Sequence, residues 1–309
     1  MMQLFESEAS MADRLYIIGN GFDLHHGIKS SYWAFGEFLR VTDRDTFRVV
    51  DRYFDTSDDF WSNFEERLAD FDAETLIEDA SAFLVGYGAD DWSDSYHHDY
   101  QYEIDRAVKA VSKTMRSRFA TWIRQLVIPK PADIAELRVA VDPTAMFLNF
   151  NYTPSLQRLY GVAESHILHI HGSGLDPEAD LVLGHGWKPQ ENLDPYRFER
   201  DPEAADTRVV EVQSVIDSYF KETFKPTLQI IAANRAFFES LTRTNEIWVM
   251  GHSLADVDRP YFEELIRHVD PERVKWKVSV YKDHEERRSQ FTKLGINPRL
   301  VEFLPLTSF

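Results

Sequence analysis

Three apolar runs, far apart in the chain, each end abruptly in glycine or asparagine followed by a polar loop. They are Leu15-Tyr16-Ile17-Ile18 before Gly19-Asn20-Gly21-Phe22-Asp23, Phe147-Leu148 before Asn149-Phe150-Asn151-Tyr152-Thr153-Pro154, and Trp248-Val249-Met250 before Gly251-His252-Ser253-Leu254. Short apolar runs bounded by turn residues read as buried strands. When helical stretches separate such strands, the economical arrangement is a parallel sheet covered on both faces. Ligands of open α/β sheets bind outside the carboxyl ends of the strands, so the three loops are expected to converge on one crevice.

Between the first and second runs the period changes. Phe60, Phe64, Leu68 and Phe71, and then Ile104, Val108, Val111, Met115, Phe119, Trp122 and Leu126, recur at helical spacing until Pro129 and Pro131 end the pattern. This predicts an α/β doubly wound parallel sheet over residues 1–50 and 142–309, with a helical insertion at 51–141. Within the sheet domain, strands are expected at Arg14–Ile18, 145–150, Glu246–Met250 and 274–281, with apolar runs at 166–171 and 181–183. Helices are expected from Tyr32 to Leu39, from about Pro260 to His268 and over most of 211–241. Thr153 is placed as an N-cap, with Pro154 at the first helical position. Residues 187–207, broken by Pro189, Pro195 and Pro202, read as an excursion without regular structure.

Charge narrows the partners. With 34 Lys plus Arg against 52 Asp plus Glu, the formal charge of −18 repels a phosphate backbone, and no basic stripe is visible along the sequence. Direct nucleic-acid binding is therefore disfavoured. The absence of cysteine excludes disulfides, thiolate metal sites and a cysteine nucleophile, and fits a reducing cytoplasm. Residues 1–10 lack the basic and apolar regions of a secretory leader, and no apolar run approaches the roughly 20 residues of a membrane span. A cytoplasmic protein without a membrane role is expected.

The strand-end residues suggest specific chemistry. Gly19 and Gly21, flanked by Asn20 and Phe22, would let backbone amides approach a pyrophosphate, although an ordinary strand-to-helix turn has the same composition. Leu24 stands where a dinucleotide fingerprint carries its third glycine. Asn149 and Asn151 extend to one side of a strand and could grip ribose hydroxyls or a water; asparagine also simply fills turns. His169 and His171 share a side, and a histidine beside Gly172 is suited to act as a general base. In the last loop Gly251, His252, Ser253, Asp256 and Asp258 could bind phosphate or a ribose diol, while Asp258 is equally placed to cap the helix containing Pro260.

The ordered series Ile18-Gly19-Asn20-Gly21-Phe22-Asp23-Leu24 with His26-Gly27, Asn149-Phe150-Asn151-Tyr152-Thr153, His169-Ile170-His171-Gly172-Ser173 and Gly251-His252-Ser253-Leu254 with Asp258 resembles the AbiH family of phage abortive-infection proteins. More distantly it is similar to the sirtuin superfamily, where a Gly-Ala-Gly turn, an Asn-containing strand end, a His-Gly and a late Gly-Thr-Ser loop build an NAD site. That resemblance implies a Rossmann or sirtuin-like fold in which Gly19 and Gly21 bind pyrophosphate. It also implies that Asn151 holds the ribose or the attacking water, His171 is the base and Ser253 meets the adenine-side phosphate or ribose. Several positions depart from sirtuins. Asn20 replaces alanine, Asp23 replaces serine, Thr153 stands in place of aspartate and Lys29-Ser30-Ser31-Tyr32 replaces the cofactor flap. Without cysteine there is no zinc ribbon, which argues against protein deacylation.

The expected function is NAD glycohydrolysis in antiphage defence, with NAD as substrate and no metal. Asn151, His171 and Asp23 would be catalytic, Asp23 supplying negative charge to an oxocarbenium-like state. Two other readings compete. One is a noncatalytic sensor that binds a nucleotide and presents the helical insertion to a partner; a homo-oligomer or a defence-system partner protein is the expected associate in either case. The other is a metal-dependent hydrolase or nuclease using His169, His171 and His185 with Asp23 or Asp256.

Overall fold

A computed structural model of the protein describes residues 13–84, 94–190, 206–281 and 284–309. Residues 1–10, read above as lacking a leader, and most of the 187–207 excursion lie outside the described residues. The chain divides into two compact units, one comprising Met1–Ser31, Ile123–Leu181 and Pro226–Phe309, the other Tyr32–Trp122 and Val182–Lys225.

The first unit is built on six parallel strands: β1 (Arg14–Ile18), β2 (Met146–Asn149), β3 (Ile167–His169), β4 (Glu246–Met250), β5 (Lys275–Ser279) and β6 (Val301–Leu304). Their order in the sheet is β3-β2-β1-β4-β5-β6, so the winding reverses between β1 and β4, the position at which doubly wound sheets open a crevice. Leu15, Tyr16, Ile17 and Ile18 are all fully buried, which explains why β1 is a continuous apolar run rather than an alternating one. Side chains of alternate residues enter two separate cores. Leu15, Ile17, Leu148, Ile247, Val249 and Val278 pack with Phe238, Phe262 and Leu265 on one face. Tyr16, Ile18, Phe147, Trp248 and Met250 pack with Phe22, Leu156 and Val162 on the other. At about 1.5–3 kcal/mol for each large apolar side chain removed from water, this double-sided burial dominates the sheet's stability.

The four expected strands all form with ends within a residue or two of their predicted bounds, and the apolar run 166–171 contains β3. The apolar run 181–183 forms no strand; it is a buried loop, with an isolated bridge from His185 to Phe224 just beyond it. β6 and the helix His284–Lys293 were not foreseen. Four residues are too few for alternation to separate strand from loop.

In the second unit, the two helical series of the sequence supply the core. Phe60, Trp61, Phe64 and Leu68 are buried, as are Ile104 and Val108 on Asp94–Lys109, Met115, Phe119 and Trp122 on Met115–Gln125, and Val111 between those two helices. A π-turn at Ala110–Thr114 joins those helices, and there the Ser112 hydroxyl donates to the Val108 carbonyl at 2.8 Å, a back-bond that competes with the regular ladder. Helices Tyr32–Thr42 and Arg44–Tyr53 belong to this unit too, so it begins earlier than position 51 and takes in Thr207–Glu222. Buried Lys225 pairs with Glu65 at 2.5 Å, and Tyr32 donates to the same carboxylate. Among the described residues no helix is long and apolar enough to cross a membrane.

Candidate functional site

Ile18 lies level with Asn149 on β2 and Met250 on β4, so the three glycine and asparagine loops leave the sheet side by side. The glycines serve a close approach between two of these loops. A Cβ on Gly19 would stand 2.4 Å from His252 Cα, one on Gly21 2.8 Å from Gly251 Cα, and one on Gly251, whose φ is +70°, 2.0 Å from the Phe22 nitrogen. The amides of Gly19 and Gly21 donate to the carbonyls of Met250 (3.0 Å) and Gly251 (2.7 Å). The donors that the sequence aims at a pyrophosphate are thus engaged by the β4 loop. Asn20 bonds Ser30 in both directions and closes the loop that follows, while Phe22 sits in the core rather than on a surface.

Beside this junction lies a buried polar group. Asp23 is fully buried; its Oδ2 accepts from the Thr153 hydroxyl at 2.5 Å, and its Oδ1 has no hydrogen-bond partner among the described residues. Burial pushes its carboxyl up to about 6, partly opposed by Ser155, Thr153 and Asn151. The Ser155 hydroxyl, also fully buried, stays off hydrogen-bond geometry. Asn151 donates from its side-chain amide to the Gly19 carbonyl at 3.1 Å, tying the end of β2 to that of β1. Asn149 accepts from the Asn151 amide at 3.0 Å and is wholly buried. His169 is bonded to the Asn151 carbonyl at 3.1 Å and to Gln157 at 3.0 Å, and burial holds it below the ordinary histidine value.

A second group pairs two histidines with one carboxylate. His171 Nε2 stands 3.6 Å from Asp258 Oδ1 and His252 Nε2 stands 3.4 Å from Asp258 Oδ2. Both histidines are buried, and the Phe150 ring contacts each, at 5.2 Å and 4.3 Å between centroids. His252 Nδ1 accepts the Leu254 amide at 2.9 Å, which fixes the proton of neutral His252 on the nitrogen facing Asp258. Leu254 has φ +58°, a left-handed conformation that costs energy for a branched side chain and is held here by that bond.

The family model for bacteriophage abortive infection AbiH matches residues 15–280. The chain belongs to the AbiH family. Its place is therefore in abortive-infection defence against phage. The chain matches no curated protein and no solved structure.

In this AbiH protein, Asp23 and Asn151 are brought together with Thr153, and His171 with His252 and Asp258. Ser253 and Asp256 are exposed. Two assignments change. Pro154, not Thr153, occupies the cap position of Ser155–Tyr160, because the Thr153 hydroxyl is bound to the buried carboxylate. Asp258 does occupy a cap position, but its carboxylate makes no cap bond and faces the imidazoles instead. Ser155 and the His252–Asp258 pairing were missed; strand order brings Ser155 to Asp23 and His171 to Asp258, whereas His252 and Asp258 meet through the local fold of the loop after β4. Among the described residues no three of His, Asp and Glu are grouped so as to hold a metal ion. His169 and His171 lie in the sheet unit, and His185, buried among Trp187, Phe220 and Phe224 and lowered to about 4 by burial, belongs to the helical one.

Proposed function

We propose that this AbiH-family protein is an NAD glycohydrolase that cleaves the nicotinamide–ribose bond during abortive infection. The observation that carries the reading is the buried Asp23 carboxyl at the point where strand order reverses, with one oxygen unpartnered and Asn151, Thr153 and Ser155 around it. Scission of the C1′–N bond sends its electron pair to the nicotinamide ring and leaves positive charge on the ribose. A carboxylate held in a low-dielectric site, ionised above about pH 6, stabilises that charge strongly because no reorganisation is required at the moment of reaction. Water then bonds to C1′, its proton passing to His171, whose Nε2 stands 3.6 Å from the Asp258 carboxylate. Asn151 holds the ribose or the attacking water. The products are nicotinamide, ADP-ribose and a proton.

The likeness of the strand-end blocks to sirtuins supports NAD as the substrate. Because the Gly19 and Gly21 amides are engaged, the pyrophosphate would be held by other groups of the crevice or after the β4 loop moves. That engagement favours a second reading, a nucleotide sensor without turnover. Incubating purified protein with NAD, NADP, ATP and nucleic acid, followed by chromatography, separates the two: release of nicotinamide is expected, and intact NAD with retained nucleotide would leave only the sensor.

A further inference from the structure

At the opposite end of the sheet from these loops, the first residues of β4, β5 and β6 enclose a cleft lined by Glu246, Trp248, Lys275, Lys277, Arg299 and Glu302. No run of the sequence announces it, since register alone assembles the cations: Lys275 lies beside Glu246, and Lys277 beside Trp248 on one side and Glu302 on the other. Alternation sends Trp276, Val278 and Phe303 into the opposite core, leaving a face of the sheet that carries charge where a doubly wound sheet is ordinarily covered.

The charges do not cancel. Glu246 is neutralised by Arg14, which reaches it through two nitrogens at 2.9 and 2.7 Å. Lys275, Lys277, Arg299 and Glu302 enter no ion pair among the described residues, so three cations face a single unpaired carboxylate. Lys277 Nζ lies 4.7 Å from the centre of the Trp248 ring, and the Arg14 guanidinium 4.3 Å from it. Trp248 is 8% exposed, and its indole N–H has no acceptor among the described residues. A buried donor left unpaired is costly, and crowded cations repel one another. A group that carries negative charge relieves the repulsion among the cations.

We propose that this cleft binds a phosphorylated small molecule, at a site separate from the strand-end crevice. A phosphoryl group presents three oxygens and near-double negative charge, matching two ammonium groups and a guanidinium fork; a carboxylate, with two oxygens in one plane, satisfies fewer of them. In a chain of charge −18, attraction of such an anion depends on local cations, and the cleft gathers them.

The test is titration of the full-length protein with inorganic pyrophosphate, followed by calorimetry and by the indole N–H resonance of Trp248, assigned through Trp248→Phe. Acetate and sodium chloride at matched ionic strength serve as controls. The expected result is a saturable shift of that resonance with pyrophosphate alone, weakened at least about tenfold in the Lys277→Gln, Arg299→Gln double variant. Calorimetry of the double variant keeps the test decisive if Trp248→Phe fails to fold. A response equal to that of sodium chloride, or unchanged affinity in the folded double variant, overturns the proposal. Neither readout depends on NAD turnover.

Discussion

At the scale of single residues, the burial of Asp23 makes stability depend on pH. Its carboxyl is raised from 3.8 to about 6 by burial, so folding favours the protonated acid. The stability it contributes is present below 3.8 and is lost as pH rises through about 6, on the order of 3 kcal/mol. Asp23→Asn should therefore be more stable than the wild type at neutral pH, which thermal melts at pH 4 and pH 7.5 would show. If the glycohydrolase reading holds, the same variant loses about 100- to 1000-fold in kcat together with the activity limb that rises through about pH 6. A variant that is stabilised but fully active would separate the buried carboxyl from the chemistry. Asn151→Ala and His171→Ala are each expected to abolish nicotinamide release while remaining folded by circular dichroism. Asp258→Asn acts one step removed. Its kcat should fall about 10- to 100-fold with KM little changed, and Asp258→Glu should restore part of it. How much of this was legible differs between residues. Asp23, Asn151 and His171 stood out because each follows an apolar run. Ser155 and the two-histidine contact of Asp258 did not, since both depend on which strand ends are neighbours.

At the scale of elements, β1 and β4 were readable because they are short, apolar and bounded by glycine. The purpose of those glycines was not. Composition shows that the backbone comes close to something, and only the structure shows that it is the backbone of the other loop. This changes what a substitution does. Gly21→Val should cost about 3 kcal/mol or more, because its Cβ would fall 2.8 Å from Gly251 and force two strand ends apart. Lys29→Ala, on an exposed side chain a few residues further, should change stability by less than about 0.5 kcal/mol. Urea denaturation of the two variants measures both. A Gly21→Val protein as stable as the wild type, binding NAD weakly, would return the glycine to the ligand-facing role suggested by the sequence. β6 escaped notice for another reason: none of its four residues is fully buried, and an edge strand of that length carries no more periodicity than a loop.

At the scale of the whole molecule, the chain passes between the two units at 31–32, 122–123, 181–182 and 225–226, and each unit has a core of its own. Sequence periodicity located the helical core but not its boundary, because helices Tyr32–Thr42 and Arg44–Tyr53 follow a strand and read naturally as part of the sheet domain. Two cores built from separate side chains need not melt together. Calorimetry is expected to show a transition broader than a single two-state unfolding, with a calorimetric enthalpy above the van't Hoff value. Substitutions then assign its parts. Ile17→Ala, in the sheet core, and Phe64→Ala, in the helical core, should each cost about 2–5 kcal/mol and lower different parts of the profile. A nonhydrolysable NAD analogue at 100 times its Kd should raise the part that Ile17→Ala lowers, by about 2.7 kcal/mol, because the crevice groups Asp23, Asn151 and His171 all belong to that unit. If the analogue instead raises the part lowered by Phe64→Ala, the nucleotide is held by the helical unit and the strand-end crevice is not its site.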